Sequence, residues 1–191
     1  MSASKPRRPR REALTISRPE LLVEGSDTAF RGLIHDLMAY AHHIEACRDG
    51  FGAIIGLTGV QYEILMIVRR FGAVDAAAGP GISVGQVAAR LHRSGAFTTI
   101  ETTKLVGRGV IDKRADTTDG RKVLLALTPA GEALARTLAP YQQQVNDVLF
   151  ECLDKRGFEA LMALARDLVA CGDRAVALSG FLVGQAAVRA A

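Results

Sequence analysis

The sequence predicts a mainly α-helical chain with one small antiparallel β-hairpin, and three observations predict it. Apolar residues make up 49% of the 191 residues but aromatics only 5%, so the core must be built from Leu, Val, Ile and Ala, which suits packed helices. Helix-start signals recur at Thr58 with Gln61, at Ser83 with Gln86, and at Thr128-Pro129. The pair Asp119-Gly120 separates the runs VIDKR and KVLLALT as a hairpin turn does.

Taken in order, residues 1–25 mix Pro, Arg, Ser and Glu without sustained periodicity and are expected to be a flexible basic tail. Its PRRPRR run either contacts a polyanion or keeps the chain soluble. A first helix follows Ser26 or Asp27, with Phe30, Leu33, Leu37, Ala41 and Ile44 at helical spacing, and Gly50, Gly52 and Gly56 are expected to end it. Thr58 caps the next helix, in which Val60, Ile64, Ile67 or Val68, and Phe71 share a face. AVDAAAGPG then reads as a surface loop.

Ser83 and Gln86 open a short helix with Val84, Val87, Ala88 and Leu91 on its apolar side, and a short strand is expected near Ile82. His92 to Gly95 form a turn, a further helix covers about Ala96 to Val106, and Gly107 and Gly109 stop it. The hairpin follows. Thr128 caps another helix with Pro129 at its first position, where a missing N–H costs no helical bond. Leu134, Leu138, Tyr141, Val145 and Leu149 form its stripe, and a last helical region runs from Phe158 through Leu161, Leu164 and Leu168.

The net charge of +4 is unevenly placed: residues 1–11 carry +5 and residues 82–122 carry +4, whereas 12–81 carry −4 and 123–191 carry −1. Basic charge gathered on a tail and one central segment suits a polyanion-binding surface. The second helix of the central pair holds Ser94, Thr98, Thr99, Glu101, Thr102 and Lys104. Hydroxyls, an ammonium and a carboxylate are the groups that contact phosphates and base edges, although an ordinary solvated helix face has the same composition. Following it with a hairpin flanked by Lys113, Arg114, Arg121 and Lys122 gives the pair a geometric use: helix in the major groove, hairpin on the backbone or the narrower groove.

These segments resemble the MarR family of bacterial transcription regulators over about residues 30–170, through LTGVQYEIL, ISVGQVAARL, SGAFTTIETTKLVGRGVIDKR and DTTDGRKVLLALTPAG. The resemblance implies a winged helix-turn-helix in a helical homodimer frame. It divides the chain into the tail (1–25), an N-terminal dimerisation and ligand-cleft region (26–56), a winged DNA-binding domain (57–128) and C-terminal dimerisation helices (129–191). DNA contacts are then expected from Ser83, Ser94, Thr98, Thr99, Thr102, Lys104, Arg114, Arg121 and Lys122. Arg121 matches the family's minor-groove arginine, and Asp119 matches the aspartate that supports it through an ion pair. Gly120 stands where many members carry a second basic residue, a departure that loosens the wing tip and removes one phosphate contact.

The resemblance also implies interlocked terminal helices, double-stranded DNA with a pseudopalindromic operator as partner, repression in a cytoplasmic, nucleoid-associated setting, and a small aromatic carboxylate as effector. Tyr40, His42, His43, Arg48 and Tyr62 are the candidates to hold it. Rival readings are a redox-responsive regulator acting through Cys47, a nonspecific architectural DNA binder, and an enzyme without a local motif. Cys47, Cys152 and Cys171 form no metal-ligand spacing, no nucleotide loop or nucleophile elbow occurs, and no secretory or membrane-spanning segment is evident, so neither cofactor nor metal is expected.

Overall fold

The computed structural model describes residues 13–72, 81–116 and 123–190. Expectations for the PRRPRR run, for most of the 73–81 loop and for Asp119, Gly120, Arg121 and Lys122 lie outside those residues. The chain divides into two compact units at Pro140, residues 1–139 and 140–191.

In the first unit, helix α1 (Thr28–Ile54) follows a short segment that is hydrogen-bonded to the residue preceding the helix. Thr15 donates from both its N–H (2.7 Å) and its hydroxyl (2.6 Å) to Asp27 Oδ2, and Arg31 reaches Oδ1 at 2.9 Å. The Thr15 hydroxyl, then its N–H, and then Arg31 hold this buried carboxyl below the ordinary aspartate range. Asp27 therefore precedes α1 without capping it, and Ser26 Oγ accepts from the Thr28 N–H instead.

Gly50 and Gly52 do not stop α1, which runs on to Ile54 and is capped by Ile55, with Gly56 beyond it at φ +70°. Gly52 stays helical because the following chain folds back onto it: a Cβ there would lie 2.7 Å from the Leu57 carbonyl oxygen. Helix α2 (Gly59–Phe71) then starts from the expected reciprocal cap, with the Gln61 N–H on Thr58 Oγ1 at 3.2 Å and the Thr58 N–H on Gln61 Oε1 at 3.3 Å.

Strand β1 (Ile82–Ser83) leads into α3 (Val84–Leu91) and α4 (Gly95–Gly107), and β2 (Ile111–Ala115) and β3 (Val123–Leu127) complete an antiparallel sheet of order β1-β3-β2. Ile111 faces Leu127 and Ala115 faces Val123, while Ile82 pairs with Leu125. The core of this unit is aliphatic: Ile64, Leu65 and Val68 of α2, Val87 and Leu91 of α3, Leu105 of α4, and Ile111 and Leu125 of the sheet are all buried.

Helix α5 (Pro129–Leu149) contains Pro140, where the two units divide. Proline cannot donate the helical hydrogen bond at that position. Thr128 fixes the start of the helix twice, accepting from the Gly131 N–H at 3.1 Å and donating to the Gly109 carbonyl at 2.7 Å, so one hydroxyl joins the end of α4 to the beginning of α5. Gly131 lies so near the Val110 carbonyl that a Cβ would collide with it.

In the second unit, α6 (Lys155–Ala190) is far longer than the predicted region from Phe158 to Leu168. Asp154 starts it by accepting from the Gly157 N–H at 2.7 Å, an Asx cap not recognised from the sequence. No single helix among the described residues is long and apolar enough to cross a membrane; α1 and α2, bent by 86°, reach that composition only as a pair.

Removing the Thr128 hydroxyl takes away a cap and a tertiary bond together. Thr128→Ala should cost about 1–2 kcal/mol of stability, and Thr128→Ser should retain most of it, as read by denaturant unfolding at one fixed protein concentration.

Candidate nucleic-acid interface

The central helix pair is set by local bonds. Ser83 opens α3 by accepting from the Gln86 N–H at 3.2 Å, while the Ser83 N–H donates to Gln86 Oε1 at 2.9 Å. His92 closes α3 in the left-handed conformation, φ +50°, and Ser94 Oγ opens α4 by accepting from the Phe97 N–H at 3.3 Å. Ser83 and Ser94, expected to contact DNA, are thus both occupied as helix caps; Ser94 is exposed and Ser83 half-buried.

Helix α4 divides into two faces, and the division differs from the expected one. Thr98 and Thr102 are fully buried, with Glu101 and Leu105 beside them, so the two threonines cannot form part of a groove-facing surface. Their burial is inexpensive because the hydroxyls are satisfied within the helix: Thr98 donates to the Ser94 carbonyl and Thr102 to the Thr99 carbonyl, each at 3.0 Å. Ala96, Thr99, Ile100 and Thr103 are exposed on the opposite side. Ile100 and Thr103 were not among the expected contacts, yet the helical period counted back from Leu105 places 98, 101 and 102 with it and leaves 96, 99, 100 and 103 outside.

Glu101 is the polar anchor. Gln61 Nε2 of α2 donates to its Oε2 at 3.0 Å, and Lys104 Nζ donates to its Oε1 at 2.6 Å. The Lys104 bond first, and the Gln61 bond after it, hold the carboxyl below the ordinary glutamate range against the opposing effect of burial. Gln61 also serves the reciprocal cap at Thr58, so one side chain ties the start of α2 to the inner face of α4. Lys104 keeps more than half of its side chain exposed while making this bond.

Among the described residues, Arg93, Lys104 and Arg108 are exposed on α4 or next to its ends in sequence, Lys113 and Arg114 are exposed on β2, and Arg90 of α3 is exposed with its guanidinium 4.2 Å from the centre of the Phe71 ring. Arg114 Nε lies 3.8 Å from Asp112 Oδ2, a loose surface pair.

The expected ligand group is not one cluster. Arg48 pairs with Glu63 at 3.2 Å and lines a cavity of about 320 Å³ with Glu45, Val60, Arg90, His92 and Arg93. Tyr40, His42, His43 and Tyr62 are not among its lining residues. Tyr62 is buried against Phe51, with ring centroids 5.5 Å apart, while His42 and His43 are exposed on α1. Cys47 is half-buried and unpaired, and no group of three or more His, Cys, Asp or Glu among the described residues is placed to hold a metal ion.

A helix pair of this kind followed by a two-stranded wing defines a winged helix-turn-helix. Among solved structures, the chain is similar to a MarR/EmrR family transcriptional regulator from Acinetobacter sp. ADP1, at TM-score 0.62 and 16% identity, covering 75% of this chain and 96% of that one. It is also similar to MepR of S. aureus in a MepR–DNA complex, at TM-score 0.58 and 16% identity over 81% and 99% of the two chains. A third likeness is to BpsR of Bordetella bronchiseptica, in a structure on regulation of its DNA binding by 6-hydroxynicotinic acid, at TM-score 0.57 and 24% identity over 71% and 91%. The fold is therefore the MarR-like one, mainly helical with a small antiparallel wing. No protein-family model and no curated protein matches the chain.

Because the Glu101 carboxyl titrates lower in the folded chain than in the unfolded one, its contribution is complete above the ordinary glutamate value of 4.5 and is lost as the pH falls through that value to the lower folded one. Glu101→Gln should therefore flatten the acid limb of a stability profile relative to the wild type. Glu101→Ala, which strands the buried Gln61 amide, should cost about 1–3 kcal/mol at neutral pH in denaturant unfolding.

Proposed function

We propose that this chain is a homodimeric DNA-binding regulator of transcription, a repressor at a pseudopalindromic operator, working in the cytoplasm on nucleoid DNA. The observation that carries this reading is α4: its inner face is fixed by Leu105 and the Gln61–Glu101 bond, its outer face is exposed, and it carries exposed Lys104 with exposed Arg93 and Arg108 beside its two ends in sequence. A rigid helix bearing a free face within a positive rim fits the major groove between two phosphate backbones. The expected wing contacts, Arg121 supported by Asp119 with Lys122 beside them, extend the same surface by resemblance.

A dimer is supported in each unit separately. Leu33, Ile34, Leu37 and Met38 of α1 are exposed in a single copy, as are Phe158, Leu161, Leu164, Leu168 and Phe181 of α6. Apolar surface of this extent is covered by a partner in a water-soluble protein. Reading a pseudopalindrome would require that dimer to hold two copies of α4 about one DNA turn apart, roughly 34 Å. For the effector we retain a small aromatic carboxylate, the chemical class of the compound named for BpsR. Its support in this chain is the cavity beside Arg48, where three arginines, Arg48, Arg90 and Arg93, stand against two carboxylates, Glu45 and Glu63.

Fluorescence anisotropy at several salt concentrations tests the reading, with DNA from the chain's own promoter against a scrambled duplex. Preference for the promoter by about 10³-fold or more is expected, and equal affinity would mean nonspecific attraction alone. Arg121→Ala should weaken promoter binding without altering the sedimentation of the dimer, and Asp119→Ala should do so less. A hydroxybenzoate or pyridine carboxylate that binds should shift DNA affinity, and saturating DNA should shift its own affinity by the same factor.

A further inference from the structure

Helix α4 lacks the polarity of an ordinary surface helix. Its buried side holds Thr98, Glu101 and Thr102 beside Leu105, and its exposed side holds Ile100, 55% exposed, and Phe97, 38% exposed. A helix that needed only solubility would carry these side chains the other way round. An apolar outer face is retained where something apolar comes to meet it.

The remaining groups on that face narrow what this can be. The Thr99 hydroxyl donates to the Gly95 carbonyl and the Thr103 hydroxyl to the Thr99 carbonyl, each at 2.8 Å, so their protons are committed to the helix. Glu101 is turned inward, and Lys104 is held by it. The helix contains no Arg, Asn or Gln to read guanine or adenine by paired hydrogen bonds, and its one Lys, which could also read guanine, is bonded to Glu101. What the face offers is methyl and methylene surface from Ala96, Thr99, Ile100 and Thr103, with exposed Lys104 on the same helix and exposed Arg93 and Arg108 next to its ends in sequence, a basic rim along the chain. The rim complements a polyanion. Among the base-pair edges of the major groove, the one apolar group is the C5-methyl of thymine.

We propose that α4 reads its operator through thymine C5-methyl groups, with Ile100 as the principal contact and Thr99 and Thr103 beside it. This rests on the DNA-binding reading above and adds the base chemistry that reading leaves open. The operator half-site then carries thymines at the positions beneath Ile100, and their methyl groups, more than any hydrogen bond from α4, distinguish it from other DNA.

The test starts from a random pool of duplex DNA carried through repeated rounds of binding to the full chain. The enriched duplex is then compared with a copy in which deoxyuridine replaces thymidine, a change that keeps every hydrogen-bonding group and deletes only the methyl. Each methyl lost from a buried contact weakens binding by about fourfold, so loss in both half-sites should weaken it on the order of tenfold. Ile100→Ala, at an exposed position, should bind the thymidine duplex less tightly and bring the ratio between the two duplexes close to one. Equal affinity of the wild-type chain for both duplexes would overturn the proposal while leaving the regulator reading intact. A ratio unchanged in Ile100→Ala would overturn it as well, since the methyl would then act through DNA shape. Failure of any duplex to enrich would instead overturn the regulator reading, and this proposal with it.

Discussion

The hydrogen bond from Gln61 to the buried carboxylate of Glu101 is the constraint on which the candidate interface depends. A carboxylate taken from water is costly unless its oxygens find partners, and here one oxygen takes the Gln61 amide and the other the Lys104 ammonium. Helix α4 could rotate about its axis with little loss if its inner face were only aliphatic. With Glu101 inward, rotation would strand both the carboxylate and the amide, so a single orientation is favoured. Gln61 is itself fixed as the return half of the cap at Thr58, and so the register of α4 is inherited from the start of α2.

The other boundaries of the winged unit are set by one side chain that serves two elements and by strand pairing. The Thr128 hydroxyl links the turn after α4 to the start of α5, and the pairing of Ile82 with Leu125 ties the entry of α3 to the central strand. Helix α4 is thus held at its beginning by a serine cap, along its inner face by Leu105 and Glu101, and beyond its end by Thr128. An element so restrained presents its outer side chains with little freedom left to lose on binding, which favours specificity.

Much of this was legible because it is local. The caps at Thr58, Ser83 and Thr128, the stop at Gly109 and the antiparallel strands flanking Asp119-Gly120 follow from residue types a few positions apart, and their elements form as expected. What was not legible depends on neighbours distant in sequence. Gly52 stays helical because Leu57 packs back on it, and Thr98 and Thr102 turn inward although their type suggests a solvated face, because the helix satisfies their hydroxyls while α2 supplies a partner for Glu101. The five candidate ligand residues are near one another along the chain but not in one lining: Tyr62 belongs to the core with Phe51, and Arg48 faces Glu63. The cavity beside Arg48 draws instead on Arg90 and Arg93, more than forty positions later in the sequence.

The central claim is that α4 meets DNA with one face only, the face opposite its Glu101 anchor. Intermolecular methyl cross-peaks in NMR, with isoleucine and threonine methyls labelled and an enriched duplex bound, test it most directly. The account predicts cross-peaks to DNA protons from Ile100 and Thr103, and none from Thr98 or Thr102. Contacts from Thr98 or Thr102, or silence from Ile100 in a saturated complex, would contradict it.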